Sequence, residues 1–129
     1  MRLLKKEDSK EEGLRYSILF DFDKADALAS YEKFLTDVVT PLIAENSTVI
    51  IHGHTDNIGD AKYNHNLSHE IAIGTQRIIE SALSRAGKRN VKFESFGFGE
   101  DENLAPFNNK FPEERFYNRS VIIDIIPGN

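Results

Sequence analysis

Two helical patterns, separated by segments of strand character, constrain the fold of this chain more than any other feature of its sequence. Each pattern spaces its residues by three and four, which is the period of a helix that turns one face to a core. The first pattern is Leu28, Tyr31, Leu35, Val38 and Leu42. The second is Leu67, Ile71, Thr75, Ile78 and Ala82. Pro41 should kink or restart the first helix, and Gly87 is a helix stop.

Four further segments have the composition and alternation of β-strands. They are residues 15–23, 47–53, 90–98 and 121–126. The order strand, helix, strand, helix, strand, loop, strand predicts an α/β sandwich. Its helices pack on a mixed four-stranded sheet.

The composition excludes several classes of protein. The 129 residues provide for one domain with its own core, and apolar residues at 40% are sufficient for that core. The formal charge of −5, without a basic stripe, argues against a nucleic-acid partner. No apolar run approaches the roughly 20 residues that cross a bilayer. The chain has no cysteine, which excludes disulfides, thiolate metal sites and a cysteine nucleophile.

Residues 1–13 carry four cations and four anions and almost nothing apolar after Leu4. Such a segment buries too little surface to offset the entropy lost on ordering. We therefore expect a flexible tail or linker stub over 1–13, as the end of a tether to an upstream part, and a folded domain over 14–129.

All four histidines lie within eighteen residues. His52 and His54 share one face of a strand, and His65 and His69 share one face of a helix. Both pairs together, with Asp56 as an oxygen ligand, are a candidate zinc site. Unrelated positions at the mouth of a cleft are the other interpretation. The spacing matches no common zinc pattern, so we expect neither a metal nor another cofactor.

The loop over residues 53–59 follows the second strand, at the kind of position where ligands of α/β sheets bind. Asp56 lies beside the Thr55 hydroxyl and between two glycines that let a ligand approach the backbone. This arrangement suits an amine or peptide N–H groups. An ordinary Asx-type turn explains the same residues equally well. Because the chain has neither a glycine-rich phosphate loop nor a nucleophile elbow, we do not expect an enzyme.

Five short motifs follow one another along the chain. They are FDFDK at 20–24, IHGHTDNIG at 51–59, NHNLS at 64–68, FGFGE at 96–100 and RFYNRSV at 115–121. In order and spacing they resemble the OmpA-like C-terminal domain, whose family includes the peptidoglycan-associated lipoprotein and the periplasmic domains of flagellar stator proteins. The resemblance spans residues 16–126. It implies a βαβαββ domain that binds peptidoglycan non-covalently by its stem peptide.

The resemblance also implies a set of ligand-binding residues. They are Asp56, Thr55, Phe22, Asp23, Asn64, Leu67 and Arg119. Asp56 would accept hydrogen bonds from the ammonium and backbone N–H groups of meso-diaminopimelate in the stem peptide. The two first-strand residues would line the same cleft. The asparagine and leucine begin the second helix, and the arginine is the first of the final motif.

Two positions depart from the family pattern. Ile71 lies four residues after the motif leucine, where family members usually carry an arginine that pairs with the diaminopimelate carboxylate. Such a pair contributes on the order of 1.5–3 kcal/mol, and isoleucine replaces none of it. Ser120 replaces the second arginine of the last motif. Lys62, His69 and Arg115 are nearby cations, but none has the same spacing.

The resemblance therefore implies a module that anchors a periplasmic protein of the Gram-negative cell envelope, associated with the outer membrane, to the cell wall. Membrane contact is expected only through an upstream anchor or domain. The alternative is an interaction domain that kept the fold and lost muropeptide binding. In that case Ile71 would extend an apolar patch at the cleft mouth and contact an envelope protein.

Overall fold

The computed structural model describes residues 2–9, 13–19, 27–55, 60–99 and 119–128. Its strands are β1 (Arg2–Ser9), β2 (Gly13–Leu19), β3 (Thr48–His54), β4 (Lys92–Gly99) and β5 (Ser120–Ile126). Its α-helices are α1 (Ala27–Phe34) and α2 (Ala61–Arg85). The predicted strands are found within two residues at each end, except that β2 is described only as far as Leu19.

The strands form one mixed sheet in the order β1-β2-β5-β3-β4. β3 and β4 are parallel, and the other neighbouring pairs are antiparallel. The α+β class and the mixed sheet are thus confirmed. The sheet has five strands where the sequence predicts four, because β1 adds a further edge strand.

Residues 2–9 are not a tail in this structure. They pair antiparallel with β2, from Arg2 opposite Leu19 to Ser9 opposite Gly13. Apolar burial was the wrong criterion for this segment, because an edge strand is held largely by backbone hydrogen bonds, and charged residues are common there. The tail expectation therefore fails for residues 2–9, whereas the domain extent over 14–129 stays a prediction.

The apolar core lies between the helices and one face of the sheet. The sheet contributes Tyr16, Ile18, Val49, Ile51, Val121, Ile123 and Ile125. The helical side contributes Tyr31, Leu35, Val39, Ile43, Leu67, Ile71, Ala72, Ile79 and Leu83. Because side chains alternate along a strand, the intervening residues point to the opposite side. We call that side the outer face; it includes Ser17, His52, Phe96 and Asp124.

The first helical segment changes its winding before Pro41. After α1 the chain makes a π-helical turn, Leu35–Val39, and then a 3₁₀ turn, Thr40–Leu42. The N–H and the hydroxyl of Thr40 both donate to the Leu35 carbonyl. A proline ring crowds the carbonyl four residues before it, so the helix cannot continue with regular α winding through this point.

This wider turn moves the buried face by one residue. The sequence pattern places Val38 and Leu42 against the core, yet they are 43% and 46% exposed. Val39 and Ile43 are buried instead. A π turn contains one residue more than the α period provides for, so the core positions after it shift by one.

The second helix, α2, begins and ends at clear signals. The Asp60 side chain caps its first turn by accepting a backbone hydrogen bond. At the other end Gly87 has a φ of 75°, and the N–H of Lys88 donates to the carbonyl of Leu83. A glycine in the left-handed region with this hydrogen bond is the usual helix stop. The predicted end at Gly87 is therefore confirmed.

Candidate functional site

Four strands end or begin side by side at one end of the sheet. Ser120, the first residue of β5, is opposite both Leu19 at the end of β2 and His54 at the end of β3. His54 is in turn opposite Gly99 at the end of β4. We call this row of strand ends, formed by Leu19, His54, Gly99 and Ser120, the motif edge. All five sequence motifs contain or directly adjoin its residues or the start of α2.

The structure places four of the predicted site residues. Thr55 follows β3 and Arg119 precedes β5, so both flank the motif edge. Asn64 and Leu67 lie in the first two turns of α2. Phe22, Asp23 and Asp56 lie outside the described residues, and their part in a site stays a prediction.

The two helix residues are both buried. Asn64 is inaccessible, and its backbone N–H donates to the Asp60 carbonyl at 2.9 Å. The Leu67 side chain belongs to the apolar core. Its packing holds the start of α2 against the sheet, which by itself accounts for a leucine at this position.

Two glycines let α2 lie directly against the sheet. A Cβ on Gly53 would lie 2.2 Å from the Ser68 carbonyl oxygen, and one on Gly97 would lie 2.4 Å from the His69 nitrogen. These glycines are opposite each other in β3 and β4. From the sequence, Gly53 is expected to admit a ligand to the backbone. That expectation is wrong, because the helix backbone already occupies this space.

A bulge at the end of β4 continues this contact. Gly53 pairs with Gly97 and His54 pairs with Gly99, so Phe98 is an extra residue on the β4 side. The Gly99 N–H donates to the Ser68 hydroxyl, and the Gly99 carbonyl accepts from the Thr55 N–H, both at 2.8 Å. Bulges of this kind redirect backbone groups, often beside functional sites.

Two buried hydroxyls at the motif edge lack hydrogen bonds within the described part of the chain. They are the Oγ1 atom of Thr55 and the Oγ atom of Ser120. An unsatisfied buried hydroxyl costs about 1–3 kcal/mol, so native proteins retain few of them. Their position at this edge marks a polar environment with hydrogen-bonding capacity to spare.

Ile71 does not lie at the mouth of a cleft. It is fully buried in the core between α2 and the sheet. The expectation that it extends an exposed apolar patch is therefore wrong. Lys62 and His69 are exposed on α2, while Arg115 lies outside the described residues.

The histidine pairs occupy opposite sides of the sheet. His52 and His54 extend from β3 on the outer face, with ring centroids 6.3 Å apart. His65 and His69 are exposed on α2, which packs on the other face. Among the described residues, no three histidine, aspartate or glutamate side chains come together as a metal site. No helix of the described ranges has both the length and the apolar character of a transmembrane span.

An ion pair that the sequence patterns did not predict lies on the outer face. Arg15 donates to both carboxylate oxygens of Asp124, at 2.6 and 3.0 Å, and His52 Nε2 lies 3.4 Å from the same carboxylate. Burial by itself would raise the pKa of Asp124, but the polar contacts with His52 and Arg15 outweigh it and lower that pKa to about 2. Only the apolar run around Asp124 signals this role, since a lone carboxylate in such a strand needs a partner.

The model of the OmpA family matches residues 19–119. Solved structures with the same fold include the cell wall anchor of the T6SS from Pseudomonas aeruginosa. It has 23% identity and a TM-score of 0.64, over 99% of this chain and 89% of that chain. The periplasmic domain of Helicobacter pylori MotB has 16% identity and a TM-score of 0.66, over 98% and 90% of the two chains.

Two further proteins are similar to this chain. The peptidoglycan-associated lipoprotein from Burkholderia pseudomallei has 20% identity and a TM-score of 0.53, over 85% of this chain and 87% of that chain. Photosystem I P700 chlorophyll a apoprotein A2 from Gloeobacter violaceus is 32% identical over 112 residues. This match covers 83% of the present chain but 12% of that protein, so the chain corresponds to a small part of it.

Proposed function

This chain belongs to the OmpA family, and on that premise we propose that it binds peptidoglycan non-covalently and anchors an envelope protein to the cell wall. The names of its structural neighbours support the proposal. One is a cell wall anchor, and another is a peptidoglycan-associated lipoprotein. The proposed location is the periplasm, with an association to the outer membrane in the full-length protein.

One observation carries the proposal. Separate motifs, distant in sequence, end at the same edge of the sheet, where the ends of β2, β3 and β4 meet the start of β5. A row of strand ends provides backbone N–H and carbonyl groups beside side chains from several elements. Thr55 and Ser120 add buried hydroxyls there that have no partner in the described part of the chain.

We propose the diaminopimelate side chain of the stem peptide as the principal ligand group. Asp56 directly follows Thr55, and its carboxylate is the proposed acceptor for the ligand ammonium. Phe22 and Asp23 follow β2 by three and four residues in the sequence, and we propose that they form the cleft together with Arg119. The inaccessible Asn64 is not part of the proposed contact surface. The proposal requires no cofactor and no catalytic group.

A second candidate function is an interaction domain with an envelope protein partner. The isoleucine at position 71 favours it, because its apolar side chain is buried in the core and cannot pair with a ligand carboxylate. The lost arginine pair is worth roughly ten- to a hundredfold in affinity. A domain without this pair has less to hold a muropeptide.

Calorimetric titration with a diaminopimelate-containing muropeptide tests the proposal. The native protein should bind, and Asp56→Asn should reduce the affinity at least about tenfold by removing a charge-assisted hydrogen bond. Asp37→Asn is the matched control, because Asp37 is an exposed carboxylate of the π-helical turn. It should bind as the native protein does.

Two results would contradict the proposal. In one, the native protein and Asp56→Asn bind with equal affinity. In the other, the native protein is folded but does not bind. The second result would favour the interaction domain.

A further inference from the structure

The Ser68 hydroxyl joins α2 to the end of β4. It accepts a hydrogen bond from the Gly99 N–H and donates one to the His65 carbonyl, both at 2.8 Å. Ser68 is fully buried. The single hydroxyl proton is donated to the His65 carbonyl, so an oxygen lone pair accepts the hydrogen bond from the Gly99 N–H.

The bulge in β4 explains why Gly99 is available for this contact. Phe98 is the extra residue between the pairs Gly53–Gly97 and His54–Gly99. Gly99 then adopts a φ of 56°, a left-handed conformation that glycine enters without steric cost. A Cβ there would also lie 2.9 Å from the His65 Cα. The bulge thus directs the Gly99 N–H to α2.

The chain of contacts continues to the residue before Asp56. The Gly99 carbonyl accepts the Thr55 N–H at 2.8 Å. Ser68 therefore fixes Gly99, and Gly99 fixes the backbone of Thr55. We propose that Ser68 is a positioning residue for the ligand-binding backbone at the motif edge, an inference that rests on the proposed peptidoglycan function.

The fold has other means of holding α2 on the sheet. Leu67 and Ile71 pack in the core on either side of Ser68 in the sequence, and Gly53 and Gly97 contact the helix backbone. The hydroxyl itself adds a directed contact to one amide. Its removal should loosen the end of β4 and the start of the loop after β3, while the helix stays in place.

Ser47 offers a matched control for a serine-to-alanine change. It is 1% exposed, and its hydroxyl has no hydrogen-bond partner among the described residues. It precedes β3 at the end of the sheet opposite the motif edge. Ser47→Ala removes the same atom from an equally buried position. Ser68→Thr is the conservative variant, because it keeps the hydroxyl.

Two measurements on the same proteins test the inference. Calorimetric titration with the diaminopimelate-containing muropeptide should show a loss of about tenfold in affinity for Ser68→Ala, because the binding backbone is less preorganised. Amide hydrogen exchange at Gly99 should accelerate about tenfold or more in the same variant. Ser47→Ala and Ser68→Thr should match the native protein in both measurements.

Each contrary outcome has a distinct meaning. If the native protein binds and Ser68→Ala binds equally well, the positioning role is rejected and the proposed function stands. If the native protein does not bind at all, the proposed function fails, and the positioning role fails with it. If Ser68→Ala does not fold, the hydroxyl serves the fold itself, which also rejects the positioning role.

Discussion

Replacing Ile71 with arginine, the residue that the family usually carries, should unfold this domain rather than improve its ligand binding. The Ile71 side chain has no exposed surface and packs in the core. Deleting a buried isoleucine side chain costs about 2–5 kcal/mol. A buried guanidinium without a carboxylate partner adds several kcal/mol more. The total approaches the roughly 5–15 kcal/mol by which a whole domain is stable.

Urea titration of three variants measures this cost. Ile71→Ala should lose about 3 kcal/mol in the free energy of unfolding, and Ile71→Arg should lose more or fail to fold. Ile73→Arg is the control, because Ile73 lies on the same helix and is partly exposed. A long arginine stem can reach solvent there, so its loss should stay below about 1 kcal/mol.

The opposite outcome would refute this reasoning. In that outcome, the free energy of unfolding of Ile71→Arg lies within about 1 kcal/mol of the native value, and the variant binds the muropeptide about tenfold more tightly. The arginine would then reach the ligand from position 71. The side chain at position 71 would then be buried because it is isoleucine, and the position itself would allow a longer side chain to reach the surface.

Other contacts of the fold can be tested by urea titration and amide exchange. Asp124 should stabilise the fold by about 2 kcal/mol above pH 4, because its pKa falls from 3.8 to about 2 on folding. This contribution should disappear as the pH decreases toward 2, so urea titrations of native protein and Asp124→Asn should converge there. Gly97→Ala should cost about 1–3 kcal/mol in urea titration, because its Cβ meets the helix backbone. Gly74→Ala should cost less, because the nearest atoms to its Cβ belong to the flexible end of the Leu28 side chain. Deletion of residues 2–9 should accelerate amide exchange in β2, their pairing partner; unchanged exchange would contradict the pairing.

The sequence patterns predicted most of the sheet and the second helix, α2. Alternation located four strands, and the spacing of apolar residues located α2, because both signals depend on the burial of one face. β1 lacks that signal. An edge strand pairs through its backbone and tolerates charged residues, so its composition does not reveal it.

The first helix shows a second limit of such patterns. Leu28, Tyr31, Leu35, Val38 and Leu42 fit a regular α-helix, yet the π turn before Pro41 exposes the last two. Proline signals that the winding changes, but not whether the change adds a residue. The next core residues are therefore displaced by one position.

For the candidate site, the sequence named residues whose ligand-binding role stays a prediction. Thr55 and Arg119 flank the motif edge, whereas Asn64 is buried in the first turns of α2. The sequence did not indicate that Gly53 faces a helix rather than a ligand, because glycine permits either close approach. It also left Ser68 unassigned, since the partner of its hydroxyl lies thirty-one residues away across a bulge.

The most direct test of the account is to locate the ligand on the fold by NMR, titrating isotope-labelled native protein with the diaminopimelate-containing muropeptide. The perturbed amides should cluster at the motif edge and should include those of Thr55, Gly99 and Ser120. Amides at the opposite end of the sheet, such as those of Asn46 and Lys92, should keep their chemical shifts. Perturbation confined to that opposite end, or no perturbation of a folded protein, would contradict the assignment of peptidoglycan binding to the motif edge.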